Sequence, residues 1–413
     1  MMDLLKDLQD RGLVNNITNK QKADEFFKSK KFGMYIGFDP SAKSLHLGNY
    51  LAISILKRFS LYGYKTVAVL GGATGMIGDP SGKNSERSLL NKDVLNKNKA
   101  CIKKQLKKLT YAEIFDNYDI YKNMNILDFL RDVGKSINVN HILEKDIVKR
   151  RLETGLSYTE FSYSIMQGYD FWYLYKNKNI ALQIGGSDQW SNITSGVDFI
   201  RKDEGEKSHA FGLTINLLTK SDGTKFGKSE SGAIYLDKEL TSPYQMYQFL
   251  INQSDEDIEK LFYYFSFKDI KEINKIITNH KKEPFKKNAQ NELTKELIIT
   301  IHGKKEYDNV LKISQAIFKN EIEKLTEEEL LVAFSSVPTY EIVSAGMNII
   351  DLLVLGICSS KREARELVDG GSIHLNGKKV DSKEFMITSK DSYSGKFSII
   401  RKGKKSYFLI KFI

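Results

Sequence analysis

The chain is expected to be α/β: a parallel sheet with crossover helices over about the first 220 residues, then a small helical domain, then a basic α+β tail. Three observations predict this. Short β-branched or apolar runs alternate with longer amphipathic stretches in the first half, the pattern of strands joined by crossover helices. From Pro243 onward apolar residues recur instead at three- and four-residue spacing, the helical period. The last 66 residues carry 13 Lys/Arg against 7 Asp/Glu, so more than half of the formal net charge of +11 lies there.

Taken in order, MMDLLKDLQDRG at the start reads as a short amphipathic helix with acidic residues, not a cleaved signal. Strands are expected at 34–38 (MYIGF), 66–71 (TVAVLG) and 180–185 (IALQIG), and helices at 47–61, 91–109, 125–134 and 159–176. The Gly-rich segment GGATGMIGDPSGK (71–83) directly follows the second strand. Loops at the carboxyl ends of such strands are where these sheets bind ligands. Further helices are expected at 243–252, 255–265, 268–280 and 284–304, with Asp255 and Asp257 starting one and Glu283-Pro284 opening another. The acidic EIEKLTEEEL (321–330) and the irregular FSSVPTYEIVSAGM (334–347) read as a linker region. The tail shows two short helices, a strand–turn–strand on Asn376-Gly377 and a final hairpin near Gly403. The expected domains are therefore 1–242, 243–320 and 348–413, with 321–347 as the linker.

Composition narrows the class. At 413 residues, 41% hydrophobic and 28% charged, the chain suits a soluble protein of two to four domains. No run approaches the roughly 18 apolar residues of a membrane helix, and MNIIDLLVLGIC is broken by Asp351. Cys101 and Cys358 lie far apart and have no metal-ligand spacing. Neither a disulfide framework nor a metal site is expected, and a reducing cytoplasm fits. Charge alone separates poorly between a lysine-rich composition and an acidic partner, but its concentration in the tail favours a nucleic-acid module there.

Two segments carry the chemistry. In YIGFDPSAKSLHLGN a strand ends in a Gly-containing loop, and the next helix opens with His46-Leu-Gly48-Asn49. A helix N-terminus presents N–H groups and positive potential to phosphate, and glycine lets a nucleotide approach the backbone. Taken singly, His46 reads as a cap or a packed side chain. In TKSDGTKFGKSESG, Lys225 and Lys228 flank a glycine. Such a loop can close on phosphates, since positioned cations stabilise charge at a transferring phosphorus. Taken singly, it reads as a solvated basic loop.

Together, HLGN and KFGKS resemble the HIGH and KMSKS signatures of class I aminoacyl-tRNA synthetases. With GGATGMIGDPSGKNSER, TEFSYSIMQGYDF and QIGGSDQW between them, the chain resembles the bacterial tyrosyl-tRNA synthetases over essentially its whole length. The resemblance implies a Rossmann-like catalytic domain, an α-helical anticodon-binding domain and an S4-like RNA-binding tail. It implies a pocket in which Tyr35 and Asp170 meet the substrate phenol, while Asp79, Tyr163 and Gln167 hold its α-ammonium group. Asn117 also matches a tyrosine-site position. Tyr163, Gln167 and Asp170 fit one helix face at spacings of four and three; Phe161, Tyr169, Phe171 and Trp172 read as a core stripe. For ATP the matching positions are Gly37, Asp39, Ser41, His46, Gly48, Asn49, Gly186, Asp188, Gln189, Lys225 and Lys228. Among the residues near the separating phosphates, His46, Lys83, Arg87, Lys225 and Lys228 are the implied catalytic ones. Asn49 stands where the signature has its second histidine; it can donate a hydrogen bond but cannot titrate.

In the tail, SKREARELV and GGSIHLNGKKV resemble the S4-type module, which implies RNA contacts from Lys361, Arg362, Arg365, Lys378 and Lys379. The implied reaction joins L-tyrosine to ATP, with Mg²⁺, as tyrosyl-adenylate and then transfers tyrosine to tRNA(Tyr). A homodimer without membrane contact is implied as well. Three rivals remain weaker. A tryptophan-charging relative has little use for a carboxylate placed for a phenol. An HxGH adenylyltransferase has no place for KFGKS, the helical domain or the tail. A non-catalytic RNA-binding derivative has no need of every active-site segment.

Overall fold

The computed structural model describes residues 3–79, 90–137, 139, 143, 148–149, 155–224, 226–229, 232–335, 337–343, 346–403 and 406–413. Its central sheet has six strands: β1 (Val14–Ile17), β2 (Gly33–Phe38), β3 (Thr66–Leu70), β4 (Glu113–Asp116), β5 (Ile180–Gly186) and β6 (Phe211–Ile215). Their spatial order is β1-β6-β5-β2-β3-β4. All neighbours pair in parallel except β1, which lies antiparallel to β6 at one edge. β3 and β6 are buried at every residue, because helices cover both faces of a parallel sheet. Chain order reverses between β2 and β5, and at such a switch point the carboxyl ends of the strands diverge to leave a crevice.

The helices that matter here are α1 (Leu4–Asp10), α2 (Lys20–Ser29), α3 (Leu47–Leu61), α4 (Lys92–Leu109), α5 (Tyr158–Lys178) and α6 (Trp190–Glu204). The expected helices at 47–61, 91–109 and 159–176 correspond to α3, α4 and α5. The one expected at 125–134 is a short α-turn, Ile126–Asp128, running into a π-helical turn, Phe129–Val133. β1, β4, β6, α2 and α6 are additions to the expected set. In α6 the sequence WSNITSGVDF is rich in small polar residues, yet Gly196 is what lets the helix approach α5. A Cβ there would come within 2.8 Å of the Phe171 ring.

Beyond the sheet domain the grouping differs from the expected boundaries. One compact unit comprises 1–241 with 251–301, the other 242–250 with 302–413. The region expected as a single helical domain, 243–320, is thus shared between them. In the first unit, α8 (Asp255–Phe265) follows α7 (Pro243–Ile251) in sequence and packs on the sheet domain, with the Phe265 ring 5.6 Å from that of Tyr50. In the second unit, the helix Lys304–Phe318 is joined to Glu327–Ala333 by a Lys312–Glu329 ion pair of 2.8 Å.

The region expected as a linker is also structured. Its strand Thr339–Ile342 pairs in parallel with Ser406–Phe412 at the edge of a five-stranded sheet. Ile342 belongs to the same core as Ile349, Ile373, Ile400 and Ile410. The strand's tie to the last strand of the chain is non-local and leaves no trace in local pattern. The turn at Asn376-Gly377 takes positive φ at both residues, 49° and 85°, as a two-residue hairpin of this type demands.

A buried charge cluster fastens the first unit together. Arg11 Nε donates to both Asp7 oxygens at 2.9 and 3.0 Å. Its remaining nitrogens donate to the carbonyls of Tyr263, Ser266 and Lys268 at the end of α8. Arg58, in α3, donates to the same Ser266 carbonyl and lies 3.7 Å from Asp7. Burial, and secondarily the charge of Arg11, lower the Arg58 pKa to about 10, against the opposing pull of Asp7 and Glu296. Removing one member of such a buried set strands the others without a counter-charge. Asp7→Ala is therefore expected to lower the unfolding free energy by about 3–5 kcal/mol in urea titrations; a loss under about 1 kcal/mol would show the cluster to be dispensable.

Candidate active site

At the switch point lies a cavity of about 370 Å³. The carboxyl ends of β2 and β5, the start of α3 and one face of α5 form its walls. Thirteen of the expected positions line it together: Tyr35, Gly37, Asp39, Ser41, His46, Asn49, Asp79, Asn117, Tyr163, Gln167, Asp170, Gly186 and Gln189. Tyr163, Gln167 and Asp170 do project from a single face of α5. Gly48 and Asp188 sit just behind the wall: a Cβ on Gly48 would meet the His46 ring, and one on Gly186 would meet Asp188. Lys83, Arg87 and Lys225 lie outside the described residues, as does the side chain of Lys228. Among the described lining residues there is no lysine or arginine, whereas three aspartates are present.

A continuous chain of hydrogen bonds crosses the floor. Asp170 Oδ2 accepts from Asn117 Nδ2 at 2.8 Å and Oδ1 accepts from Tyr121 OH at 2.7 Å. Asn117 also donates to Thr74 Oγ1 at 3.1 Å and accepts from the Ala73 N–H. Thr74 donates to Asp39 Oδ1 at 2.9 Å, and Tyr163 OH donates to Asp39 Oδ2 at 2.9 Å. Gln167 Nε2 donates to Tyr163 OH, and Gln183 Nε2 donates to Gln167 Oε1. On the opposite wall Gln189 Nε2 donates to Asp79 Oδ2 at 2.9 Å and accepts from Asn192 Nδ2. Thr74, Tyr121, Gln183 and Asn192 escaped the sequence reading. Of these, only Gln183 carried a signal, a polar residue inside the apolar run IALQIG.

Burial governs the ionisation of the floor. Desolvation raises the Asp170 pKa to about 7; the bonds from Asn117 and Tyr121 pull it down, and the charge on Asp39 pushes it up. Burial also drives the Tyr35 hydroxyl well above its ordinary value, with Asp170 adding to the rise. Tyr163 is raised in the same way, by burial and then by Asp39 and Asp79. The three phenols raised by burial and by these carboxylates, Tyr35, Tyr121 and Tyr163, are therefore neutral at pH 7. Because the folded-state pKa of Asp170 lies above its ordinary value of 3.8, its protonated form favours folding. That contribution is present below about pH 4 and is lost as pH rises through about 7.

The two signature segments meet through glycines. Gly227 takes φ = +87°, and a Cβ there would stand 2.6 Å from the Gly48 N. Around this contact Leu47 N–H donates to Ile234 O and Leu236 N–H to Leu45 O, both within 2.9 Å. The Phe226 ring anchors the loop 5.6 Å from that of Phe265. Leu47 N–H, at the start of α3, is thus committed to the loop instead of to a ligand. Asn49 takes a structural role as well: its Oδ1 accepts from the His46 N–H at 3.1 Å and so caps the helix.

The model of the family described as tRNA synthetases class I (W and Y) matches residues 28–319, and that of the tyrosine–tRNA ligase SYY-like C-terminal domain matches 329–410. The tyrosine–tRNA ligase of Ureaplasma parvum is 54% identical over 411 residues, covering 99% of both chains. Tyrosine–tRNA ligase 1 of Bacillus subtilis is 45% identical over 421 aligned positions, covering both chains entirely. The chain belongs to the bacterial-type tyrosyl-tRNA synthetases. It is a class I ligase that charges tRNA with tyrosine and uses ATP as substrate. A C-terminally truncated mitochondrial tyrosyl-tRNA synthetase of Aspergillus nidulans superposes with a TM-score of 0.69 at 31% identity, over 77% of this chain and 95% of that one. A tryptophanyl-tRNA synthetase of Encephalitozoon cuniculi shares the fold at 17% identity, with a TM-score of 0.54 over 79% of this chain and 89% of that one. Fold alone thus does not separate the two amino acids.

In this synthetase the glycine contact has no room for a methyl group, and alanine is strained at positive φ. Gly227→Ala is expected to slow tyrosine-dependent exchange of pyrophosphate into ATP at least about tenfold. A rate within about twofold of the parent, in a variant with the parent's melting profile, would show that the segments work without this contact.

Proposed function

We propose that Asp170 and Tyr35 read the substrate phenol, and that tyrosine selectivity rests on this pair. The observation that carries the reading is a buried carboxylate fixed by two donors at the floor of a cavity that Tyr35 also lines. A carboxylate accepts the phenolic proton, and a tyrosine hydroxyl donates to the phenol oxygen. Asp79, Tyr163 and Gln167 receive the α-ammonium group, which suits a wall rich in acceptors. Asn117 acts through Asp170, since both of its amide hydrogens are already engaged.

ATP is proposed to lie against Gly37, Asp39, Ser41, Gly48, Gly186, Asp188 and Gln189, with the Asn49 amide facing its sugar. The tyrosine carboxylate attacks the α-phosphorus in line, and pyrophosphate leaves. A terminal ribose hydroxyl of the tRNA then attacks the activated carbonyl. His46, Lys83, Arg87, Lys225 and Lys228 are proposed to stabilise the charge that develops on the phosphates. The described cavity wall has carboxylates but no lysine or arginine, so cations from the two loops are what a triphosphate there requires. Among the described residues no group of three or more His, Cys, Asp or Glu is placed to hold a metal. Mg²⁺ is accordingly proposed as part of the nucleotide substrate, held chiefly by its phosphates.

The helices after residue 243 are proposed to meet the anticodon, and the tail to bind tRNA. On the helix Lys361–Asp369, Ala364 and Val368 are buried while Lys361, Arg362 and Arg365 are exposed. Lys378 and Lys379 are exposed on the neighbouring hairpin. Three of these cations have acidic neighbours, Lys361 with Asp351, Arg362 with Glu366 and Lys379 with Asp381; at such exposure these pairs are weak and exchangeable for phosphate. A homodimer in a reducing cytoplasm is proposed too. The exposed apolar run of Ile126, Leu127 and Leu130 supports the dimer, since contiguous apolar surface favours association. No helix among the described residues is long and apolar enough to cross a membrane.

Asp170→Ala tests the phenol assignment. Its kcat/KM for tyrosine in pyrophosphate exchange is expected to fall at least about a hundredfold, and an unaffected variant would remove the assignment. For the tail, Arg362→Ala with Arg365→Ala is expected to flatten the slope of log affinity for tRNA against log salt by roughly 1.5; an unchanged slope would place the RNA elsewhere.

A further inference from the structure

Tyr121 belongs to the short helical turn Tyr118–Tyr121 that follows β4. Its ring lies 6.4 Å from that of Phe129 and 6.2 Å from that of Tyr169, which sets the direction of the hydroxyl. That hydroxyl reaches two acceptors, Asp170 Oδ1 at 2.7 Å and the Met166 carbonyl at 2.9 Å. It has a single proton, and an ionised carboxylate is the stronger acceptor. The Met166 carbonyl serves as the alternative when the carboxylate is neutralised.

We propose that Tyr121 is a positioning residue for substrate selectivity: its hydroxyl holds the Asp170 carboxylate in the orientation and charge state that accept the substrate's phenolic proton. This rests on the assignment of Asp170 to the phenol and adds a second requirement to it. Asp170 has two oxygens, and a donor sits on each, Asn117 on one and Tyr121 on the other. The carboxylate plane is thereby fixed from two sides, which leaves remaining lone pairs to meet the ligand. A single donor would leave the group free to rotate about its bond to the helix.

The charge state follows from the same contacts. The ionisable groups that face Asp170 are Tyr35 and Asp39 from the β2 side and Tyr121 from the segment after β4; Asn117, from that segment, adds its neutral amide. Burial and Asp39 favour the neutral acid, whereas Asn117 and Tyr121 favour the anion, and the balance falls near neutrality. Removing the Tyr121 hydroxyl tips that balance toward the acid. A protonated Asp170 carries a donor of its own and accepts only weakly through its carbonyl oxygen, so the substrate's hydroxyl proton loses its strong, charged acceptor. Tyrosine binding thus weakens as pH falls through the Asp170 midpoint, and without the hydroxyl the weakening begins at higher pH.

Tyr121→Phe keeps the ring packing and deletes only the hydroxyl. Pyrophosphate exchange should be followed with tyrosine and with phenylalanine between about pH 6 and 8.5. KM for tyrosine at pH 7 is expected to rise about tenfold, with kcat changing far less. The acid limb of 1/KM should move upward by about one pH unit, and preference for tyrosine over phenylalanine should fall with it. A midpoint and KM matching the parent's, or a loss confined to kcat, would overturn the proposal. Asp170→Asn run in parallel separates the two layers. If it loses tyrosine preference while Tyr121→Phe matches the parent, the Tyr121 role alone is refuted. If Asp170→Asn keeps the parent's KM for tyrosine, the phenol assignment falls and the Tyr121 role falls with it.

Discussion

A carboxylate held out of water on the floor of the cavity, Asp170, is the constraint to which the surrounding structure is fitted. An ion in such a place is costly unless donors surround it, and here donors converge from the segment after β4. Those donors are fixed in turn. Asn117 is anchored by the Ala73 N–H and by Thr74, and Thr74 reaches Asp39 at the end of β2. The network therefore joins the ends of β2 and β4, the turn after β3 and the face of α5. Its cost falls on stability near neutral pH, where the buried carboxylate begins to ionise.

The upper half of the site obeys a different constraint, close backbone approach. The start of α3 and the loop around Gly227 come so near that Gly227 has no room for a side chain beside the Gly48 N, while Gly48 is crowded by the His46 ring. Backbone hydrogen bonds on both sides, from Leu47 to Ile234 and from Leu236 to Leu45, hold the two segments in register. Phe226 fixes the loop's base against α8. The Asp7–Arg11–Arg58 cluster ties α8 to α1 and α3. Local signatures about 180 residues apart thus become one surface by packing and hydrogen bonding.

Much of this was legible before the fold. The apolar runs at 34–38, 66–71 and 180–185 are largely buried on both faces and so show as hydrophobic stretches, broken in the last only by Gln183. β1 and β4 were hidden because VNNI and EIFD are short edge strands with polar residues. α6 was hidden because its glycine and serines serve close packing on α5 instead of a helical stripe. At the site, the spacing of Tyr163, Gln167 and Asp170 announced a shared face. Thr74 and Tyr121 gave no sign, since each acts through a contact with a residue distant in sequence.

By itself the sequence determined the class of sheet, the order of the signature segments, the basic tail and the three polar residues that α5 turns toward one side. These are local properties, set by periodicity, turn chemistry and residue type within a few positions of each other. The tertiary structure alone decided that 339–342 is a strand of the C-terminal sheet, that 243–320 is divided between two units, and that Asn49 caps its own helix. It also decided which oxygen of Asp170 each donor occupies. Such pairings depend on where the chain returns to itself in space, and that return is fixed by burial and hydrogen-bond closure over long separations instead of by neighbouring residues.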